Sequence, residues 1–222
     1  METAGTKDRN LGGKMMNRKI GLMLVLIIAG VFGRLTLGKL LPPSPDIFIN
    51  LNGIMQPLLM MDLFFLIAII SMLSGFLLDR KVYSLLVPIS IMLVTDLIIG
   101  NNLIFLFTWS GFAMIALLSY ILKSRGAFCM QRKSMIFGIG IAGVILYDLW
   151  TNFGCWLLWY PHTIKGLVLC YTLAIPFTLW HLLSTSLAIA FVILPVVYIK
   201  EHWTDIKIQR PLYNLSKKIS IH

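Results

Sequence analysis

Apolar residues in this chain come in long blocks, without the helix-period stripe and polar face that soluble helices show. Blocks of about 18–25 apolar residues predict transmembrane helices, because a helix of that length crosses the hydrocarbon core of a bilayer. The alternating segments of about ten residues that build membrane β-barrels are not seen. The predicted class is therefore an all-α, polytopic membrane protein. About six spans are predicted, at 19–36, 57–78, 83–99, 102–122, 135–156 and 177–199.

The composition agrees with this class. Of the 222 residues, 58% are hydrophobic and 13% are charged, whereas soluble domains carry about 25% charged residues. The first apolar block follows a basic stretch, but it runs into Gly33 and Arg34 without a small-x-small cleavage pattern. We therefore expect this block to be a retained helix and not a cleaved signal peptide.

The distribution of basic residues predicts the orientation of the helices. The formal net charge is +10, and connections between the spans alternate between the two sides of the membrane. All lysines and arginines except Arg34, Lys39 and Lys165 then share the side of the N-terminus. Because cytoplasmic loops are enriched in Lys and Arg, both termini are predicted to be cytoplasmic. Contact with anionic membrane lipid explains this charge, and no nucleic-acid partner is expected.

One membrane domain without a soluble module is predicted. Residues 1–18 form a basic cytoplasmic segment, 19–199 the six-helix transmembrane domain, and 200–222 a basic cytoplasmic tail. No metal-type spacing occurs among the three cysteines, and a bridge between Cys155 and Cys170 is left open. No cofactor is expected.

Two connections on the predicted outer side are long, 37–53 and 157–175. The second stays apolar after Lys165 and is followed by Pro176, which disfavours helical geometry in the residue before it. A short helix in the outer interface is therefore predicted ahead of the sixth span. Long outer connections favour a lid over an outward-facing site, although ordinary connecting loops have similar lengths.

Polar side chains inside the apolar blocks are predicted to share one depth. Following the chain across the membrane places Asp62, Asp96, Asp148 and His181 on the order of 5–12 Å below the outer surface. An intramembrane carboxylate costs about 2.5–3.5 kcal/mol, so each needs a partner or water. We interpret the group as a water-accessible pocket for a small molecule. Buried ion pairs and caps would produce the same pattern.

Two further residues extend the predicted site. Asn152 is four residues from Asp148 and therefore lies on the same helix face. Trp156 belongs to an aromatic cluster near the outer end, although such belts are also common without a ligand. Three carboxylates favour a cationic, metal-containing or donor-rich substrate. The candidate substrate-binding residues are Asp62, Asp96, Asp148, Asn152, Trp156 and His181.

A small-xxx-small pair, Ala29 and Gly33, lies in the first span. Gly138 and Ala142 repeat this spacing in the fifth. Small residues at this spacing allow two helices to approach closely. The pair in the first span is the candidate interface for a partner protein, with packing inside the bundle as the alternative.

The fifth span and the loop after it carry a family resemblance. The residues that carry it are 150–156 (Trp-Thr-Asn-Phe-Gly-Cys-Trp), Tyr160-Pro161, Gly166-Leu167, Cys170-Tyr171 and Ala174-Ile175-Pro176-Phe177, together with Leu86-Val87-Pro88 and Thr95-Asp96-Leu97. In these residues the chain resembles an uncharacterised family of prokaryotic six-helix membrane proteins, and the resemblance covers about 60–190. That family is in turn similar to S components, the substrate-binding subunits of energy-coupling factor transporters.

The resemblance implies a function. S components bind vitamins or metals near the outer face under a loop lid, and a small-xxx-small motif in their first helix meets the transmembrane coupling subunit. Ala29 and Gly33 would be that motif here. The chain departs from the six-helix family in its last helix, where Trp180-His181 and Ser184-Thr185 replace Asn-Thr and Gly-Asp. The substrate or its mode of binding is therefore expected to differ.

The leading hypothesis is a substrate-binding subunit of a micronutrient (vitamin or metal-type) importer in the plasma membrane. The motif G-x-x-x-x-G-K-[ST] is missing, so a coupling subunit and partner ATPases would supply the energy. One alternative is a structural or assembly protein without a ligand. Another is an intramembrane serine protease that uses Ser110 and His181, but Thr108 occupies the required glycine position. No enzyme is expected.

Overall fold

The structure is a computed structural model that describes residues 3–203, with side chains from Met16 onward. Within that part of the chain, the helices are joined by turns and one β-hairpin, β1 Phe48–Leu51 and β2 Ile54–Pro57. A π-helical turn, Ile189–Ile193, interrupts the last helix, which then continues to Trp203. The helices are α1 Thr3–Leu37, α2 Phe64–Leu77, α3 Lys81–Ile99, α4 Phe105–Ser124, α5 Lys133–Trp159, α6 Ile164–Leu173 and α7 Ile175–Ala188.

Among the described residues, five helical stretches are long and apolar enough to cross a membrane. The predicted all-α class is confirmed, and five such stretches stand against the six predicted spans. The second predicted span, 57–78, is helical only from Phe64 onward, so the structure corrects its first part, and α2 has 14 residues. The five stretches are Met16–Leu37, Lys81–Ile99, Phe105–Ser124, Met130–Trp159 and Ile175–Trp203.

The β-hairpin explains why the second helix starts late. Asn52 and Gly53 have φ angles of 53° and 83°, the left-handed backbone that a two-residue hairpin turn of type I′ requires. The side-chain oxygen of Asn50 accepts a hydrogen bond of 2.8 Å from the Gly53 amide and fixes this turn. Residues 54–57 therefore pair with 48–51 as a strand and are not available to the helix.

Helix α2 lies at the centre of the bundle. A Cβ atom added at Gly75 would be 2.4 Å from the backbone oxygen of Ala116, so α2 and α4 touch through their backbones. Ser74 and Ser84 each donate their hydroxyl to the other's backbone oxygen, at 2.9 Å and 3.1 Å. In a membrane, apolar side chains contact lipid as favourably as they contact another helix. Close packing through small residues and hydrogen bonds from serine hydroxyls therefore hold membrane helices together. Helix α2 is thus fixed by backbone contact with α4 and by hydrogen bonds to α3.

One end of the bundle collects the C-terminal ends of α1, α3 and α5 and the N-terminal ends of α2, α4 and α7. The hairpin attaches there to the junction of α6 and α7, because Gln56 Nε2 donates to the Leu173 oxygen at 3.2 Å. The Met60 amide likewise donates to the Pro176 oxygen at 3.3 Å. Helix α6 and the break before Pro176 confirm the predicted short helix ahead of the last span.

The opposite end carries a cluster of ions. Asp79, in the turn between α2 and α3, pairs with Lys19 of α1 and with Lys123 of α4, the latter at 2.8 Å. The predicted segment 1–18 is helical from Thr3 and continues into the first span without a break. The predicted tail, 200–222, lies outside the described residues beyond Trp203.

Candidate functional site

A cavity of about 280 Å³ lies at the end of the bundle where the hairpin attaches. Helices α1 to α5 all contribute to its wall. The volume is just below the range of about 300–1,000 Å³ that is common for small-molecule pockets, so it suits a small occupant. Its charged and polar lining residues are Arg34, Asp62, Asn101 and Thr108, and its aromatic lining residues are Phe64, Phe112 and Tyr147.

A carboxylate–imidazole–carboxylate triad stands beside the cavity. Nδ1 of His181 is 2.7 Å from Oδ1 of Asp148, and Nε2 is 3.0 Å from Oδ2 of Asp62. The side chains of His181 and Asp148 are 7% and 8% exposed, whereas that of Asp62 is 40% exposed. Asp62 is therefore the member of the triad that reaches the cavity. The ring of His181 also stacks on Phe64, with centroids 4.0 Å apart.

The triad has a defined charge when its carboxylates are ionised. An ionised carboxylate only accepts hydrogen bonds, so both ring nitrogens of His181 must then donate and the ring is an imidazolium. Two negative charges and one positive charge leave a net negative charge beside the cavity. The second oxygen of Asp148 is buried without a hydrogen-bond partner, so this carboxylate is held by one contact.

Asp62 is held in place by the N-terminal end of α2, which begins two residues later at Phe64. Its Oδ1 accepts a hydrogen bond of 3.0 Å from the backbone amide of Phe64. The first amides of a helix lack partners within the helix, and a carboxylate there also interacts favourably with the helix dipole. Trp180 Nε1 donates to the backbone oxygen of Asp62 at 2.9 Å. Asp62 is thus fixed at the rim of the bundle just before α2, and not within the second span as predicted.

A second ion pair lies on another wall of the cavity. Arg34 Nη1 is 2.6 Å from Oδ1 of Asp96 and also donates to the hydroxyl of Thr95. The other carboxylate oxygen of Asp96 accepts hydrogen bonds of 2.6 Å from Asn101 Nδ2 and from Trp109 Nε1. Asp96 is therefore buried and fully engaged, and Arg34 is the charge on this side that lines the cavity.

Asn152 and Trp156, like the predicted residues Asp96, Asp148 and His181, are not in the cavity wall. Asn152 Nδ2 donates to the backbone oxygen of Asp148 at 2.8 Å, one turn earlier in its own helix. Trp156 Nε1 donates to the Pro161 oxygen at 3.0 Å and closes the turn after α5. The cysteines are free, and Cys170 Sγ contacts the Asn152 oxygen at 3.4 Å. These contacts fasten α5 to the loop and to α6.

Sequence reasoning missed most of the cavity wall. Arg34 was predicted only to lie on the outer side, and Tyr147 was not predicted to belong to the site. Tyr147 lies directly before Asp148, and its ring centroid is 4.7 Å from that of Phe64 and 4.6 Å from that of Phe112. The position of Arg34 at the end of an apolar span could have indicated that it belongs to the site together with Asp62.

The candidate partner interface is divided between two environments. Gly33 is buried, and a Cβ atom there would be 2.7 Å from the side chain of Leu66 in α2. Ala29, one turn earlier on α1, is exposed next to the exposed Val25 and Phe32. Gly33 thus packs the protein's own bundle, and of the pair only Ala29 lies on the free surface.

The residues considered for a protease are engaged elsewhere. The Ser110 hydroxyl donates to the Leu106 oxygen at 2.5 Å and accepts from Trp150 Nε1 at 2.8 Å. Both ring nitrogens of His181 face carboxylates. A nucleophile and its base must share a hydrogen bond, and this geometry does not form one. Among the described residues, no group of three or more His, Cys, Asp or Glu could hold a metal ion.

The fold and the site define a helical membrane protein with a charged cavity at one end of its bundle. Residues 14–205 match the family of unknown function DUF6580, and the chain belongs to this family. No curated protein and no solved structure matches it. Its function has therefore to be inferred from the cavity itself.

Proposed function

We propose that this protein is the substrate-capturing subunit of a membrane importer for a small micronutrient. The observation that carries the proposal is a cavity with charged side chains, Arg34 and Asp62, in the wall of an otherwise apolar helical bundle. Ionisable groups inside membrane proteins are costly and usually belong to a substrate or ion pathway. We infer a binding protein and not an enzyme.

The proposed arrangement has six membrane crossings in the plasma membrane, with both termini in the cytoplasm. The 14 residues of α2 give about 21 Å of helix, against about 30 Å of hydrocarbon. The non-helical residues directly before it, Asp62 and Leu63, line the cavity, where such backbone is tolerated. Asp79 and its two lysines then lie at the cytoplasmic end, where basic residues concentrate. The cavity opens to the outside in this orientation.

The hairpin and α6 would form the lid of the site. Both sit at the cavity end, and the hairpin is hydrogen-bonded to the end of α6 through Gln56 and Leu173. Such a lid, the six crossings and the missing nucleotide motif agree with the resemblance to S components. A transmembrane coupling subunit and ATPases would be the partners, and membrane lipid would surround the bundle.

The first test is native mass spectrometry of the tagged protein, gently extracted from its own membranes. A retained small mass or co-purified coupling and ATPase subunits are expected. The same preparation, freed of bound molecules by washing, should gain thermal stability from a small-molecule extract of those cells. A chain that carries no molecule, has no partner subunits and gains no stability contradicts the proposal and favours a structural protein.

A pair of variants on α4 tests whether the cavity is the site. Thr108→Phe places a ring in the cavity and should abolish the retained mass and the stabilisation by the extract. Leu106→Phe is the matched control, because Leu106 is 58% exposed on another face of the same helix. If Thr108→Phe binds as well as the wild type, the site lies elsewhere.

A further inference from the structure

We propose that the cavity takes a zwitterion, a small molecule with an anionic carboxylate and a cationic ammonium on an apolar body. The reason is that its wall presents one side chain of each charge, Arg34 and Asp62, beside three aromatic rings. This proposal rests on the proposed function and names its substrate class. It differs from the sequence expectation, in which three carboxylates favour a cation or a metal.

Arg34 supplies the anion-binding side. Its hydrogen bonds to described residues, with Thr95 and Asp96, all use Nη1. A guanidinium has five N–H donors, so the Nε and Nη2 groups keep theirs. These two atoms form the planar fork that binds a carboxylate through two parallel hydrogen bonds. The side chain is 22% exposed, and it lines the cavity.

Asp62 supplies the cation-binding side. Each of its oxygens accepts one hydrogen bond, from the Phe64 amide and from His181. A carboxylate has about four acceptor positions, so it keeps capacity for an ammonium group. The positive charge of His181 is shared with Asp148 behind it. With both carboxylates ionised the triad has a net negative charge, and Asp62 is its member in the cavity wall.

The charged groups of Arg34 and Asp62 are each held in place by a buried carboxylate on the side away from the cavity. Asp96 fixes Arg34 directly, and Asp148 fixes Asp62 through His181. The two exposed charges are thus preorganised, which reduces the entropy cost of binding. A ligand with only one charge would use either the remaining N–H donors of Arg34 or the remaining acceptor positions of Asp62, and not both. A zwitterion satisfies both.

The aromatic wall indicates the body of the ligand. The rings of Phe64, Phe112 and Tyr147 form one cluster, with centroids 4.6–5.6 Å apart. Such rings suit an apolar or aromatic side group, and they also attract a nearby ammonium through the ring quadrupole. The volume of about 280 Å³ limits the ligand to a molecule of amino-acid size or slightly larger.

The test uses a small-molecule extract of cells that express the protein. The extract is separated by ion exchange into anionic, cationic, neutral and zwitterionic fractions, and each is added to the washed protein during thermal unfolding. We expect the zwitterionic fraction to raise the melting temperature. Stabilisation confined to the cationic, anionic or neutral fraction overturns the zwitterion and leaves the proposed function standing. No stabilisation by any fraction overturns both.

Two variants assign the charges. The fraction that stabilises the wild type is then added to the variants. Asp62→Asn and Arg34→Lys should each weaken binding of its active component about 10- to 100-fold, as expected for the loss of a charged hydrogen bond. Arg34→Lys keeps a positive charge beside Asp96, so the fold is retained. Lys39→Gln, an exposed change after α1, is the control. Unchanged affinity in both variants, in preparations that remain monodisperse, overturns the proposal.

Discussion

Nδ1 of His181 lies 2.7 Å from Oδ1 of Asp148, which joins the start of α7 to α5 inside the bundle. Both side chains are buried, and the ring of His181 also stacks on Phe64. The contact connects the protein's stability to its candidate site, because the other nitrogen of the same ring holds Asp62 at the cavity. A change at Asp148 should therefore affect ligand binding indirectly, through His181 and Asp62.

Asp148→Ala should lower the free energy of unfolding by about 1–3 kcal/mol, because it leaves Nδ1 of the buried His181 without an acceptor. Asp148→Asn should cost less, since its amide oxygen still accepts from Nδ1 of His181. Unfolding of the purified variants in detergent measures both. An alanine variant as stable as the wild type would show that this contact is not formed.

Gly75→Ala should destabilise the protein by about 1–3 kcal/mol or more, because the added methyl group meets the Ala116 backbone at 2.4 Å. The clash is with backbone, so no side chain can move away. Gly138→Ala is the matched control, since nothing lies within 4 Å of its added methyl group. It should be neutral or slightly stabilising, because alanine favours a helix over glycine by about 0.5–1 kcal/mol. Equal effects of the two changes would contradict the close approach of α2 and α4.

Ala29→Leu should abolish co-purification with a coupling subunit and leave the melting temperature unchanged, because Ala29 is exposed on α1. Gly33→Leu should lower the melting temperature and lose substrate binding as well, since a side chain there meets Leu66. Affinity purification and thermal unfolding of both variants separate the two roles. A complex that survives Ala29→Leu places the partner on another face.

Asp79→Asn should lower stability by less than about 1 kcal/mol at neutral pH, because exposed ion pairs contribute little. Hydrogen bonds from Lys123 and Lys19 lower the pKa of Asp79 from 3.8 to about 2. A lowered pKa stabilises the fold above the unfolded value, and this contribution is lost as the pH falls through the folded value. The difference between wild type and variant should therefore shrink between pH 3.8 and pH 2. A difference that grows on acidification would contradict the ion pairs.

The positions of the membrane helices were largely determined by the sequence. A backbone in lipid must satisfy its hydrogen bonds within a helix, so each long apolar block predicts one almost regardless of its surroundings. The predicted spans 83–99 and 135–156 lie entirely within α3 and α5. The predicted span 102–122 lies within α4 except for residues 102–104, which precede the helix. Pro176 likewise lies in the first turn of α7, where its missing amide proton costs no helical hydrogen bond.

The site was decided by the tertiary structure. The depth of a residue in the membrane follows from counting residues along its helix. This count correctly placed Asp62, Asp148 and His181 close enough in depth to contact one another. The direction of each side chain depends on how the helices rotate against one another, and helices that are apolar on every face carry no pattern that sets this rotation. Arg34 therefore lines the cavity, whereas Asn152 and Trp156 turn to backbone oxygens nearby. The late start of α2 also depended on the pairing of residues 48–51 with 54–57, which a hydropathy window does not detect.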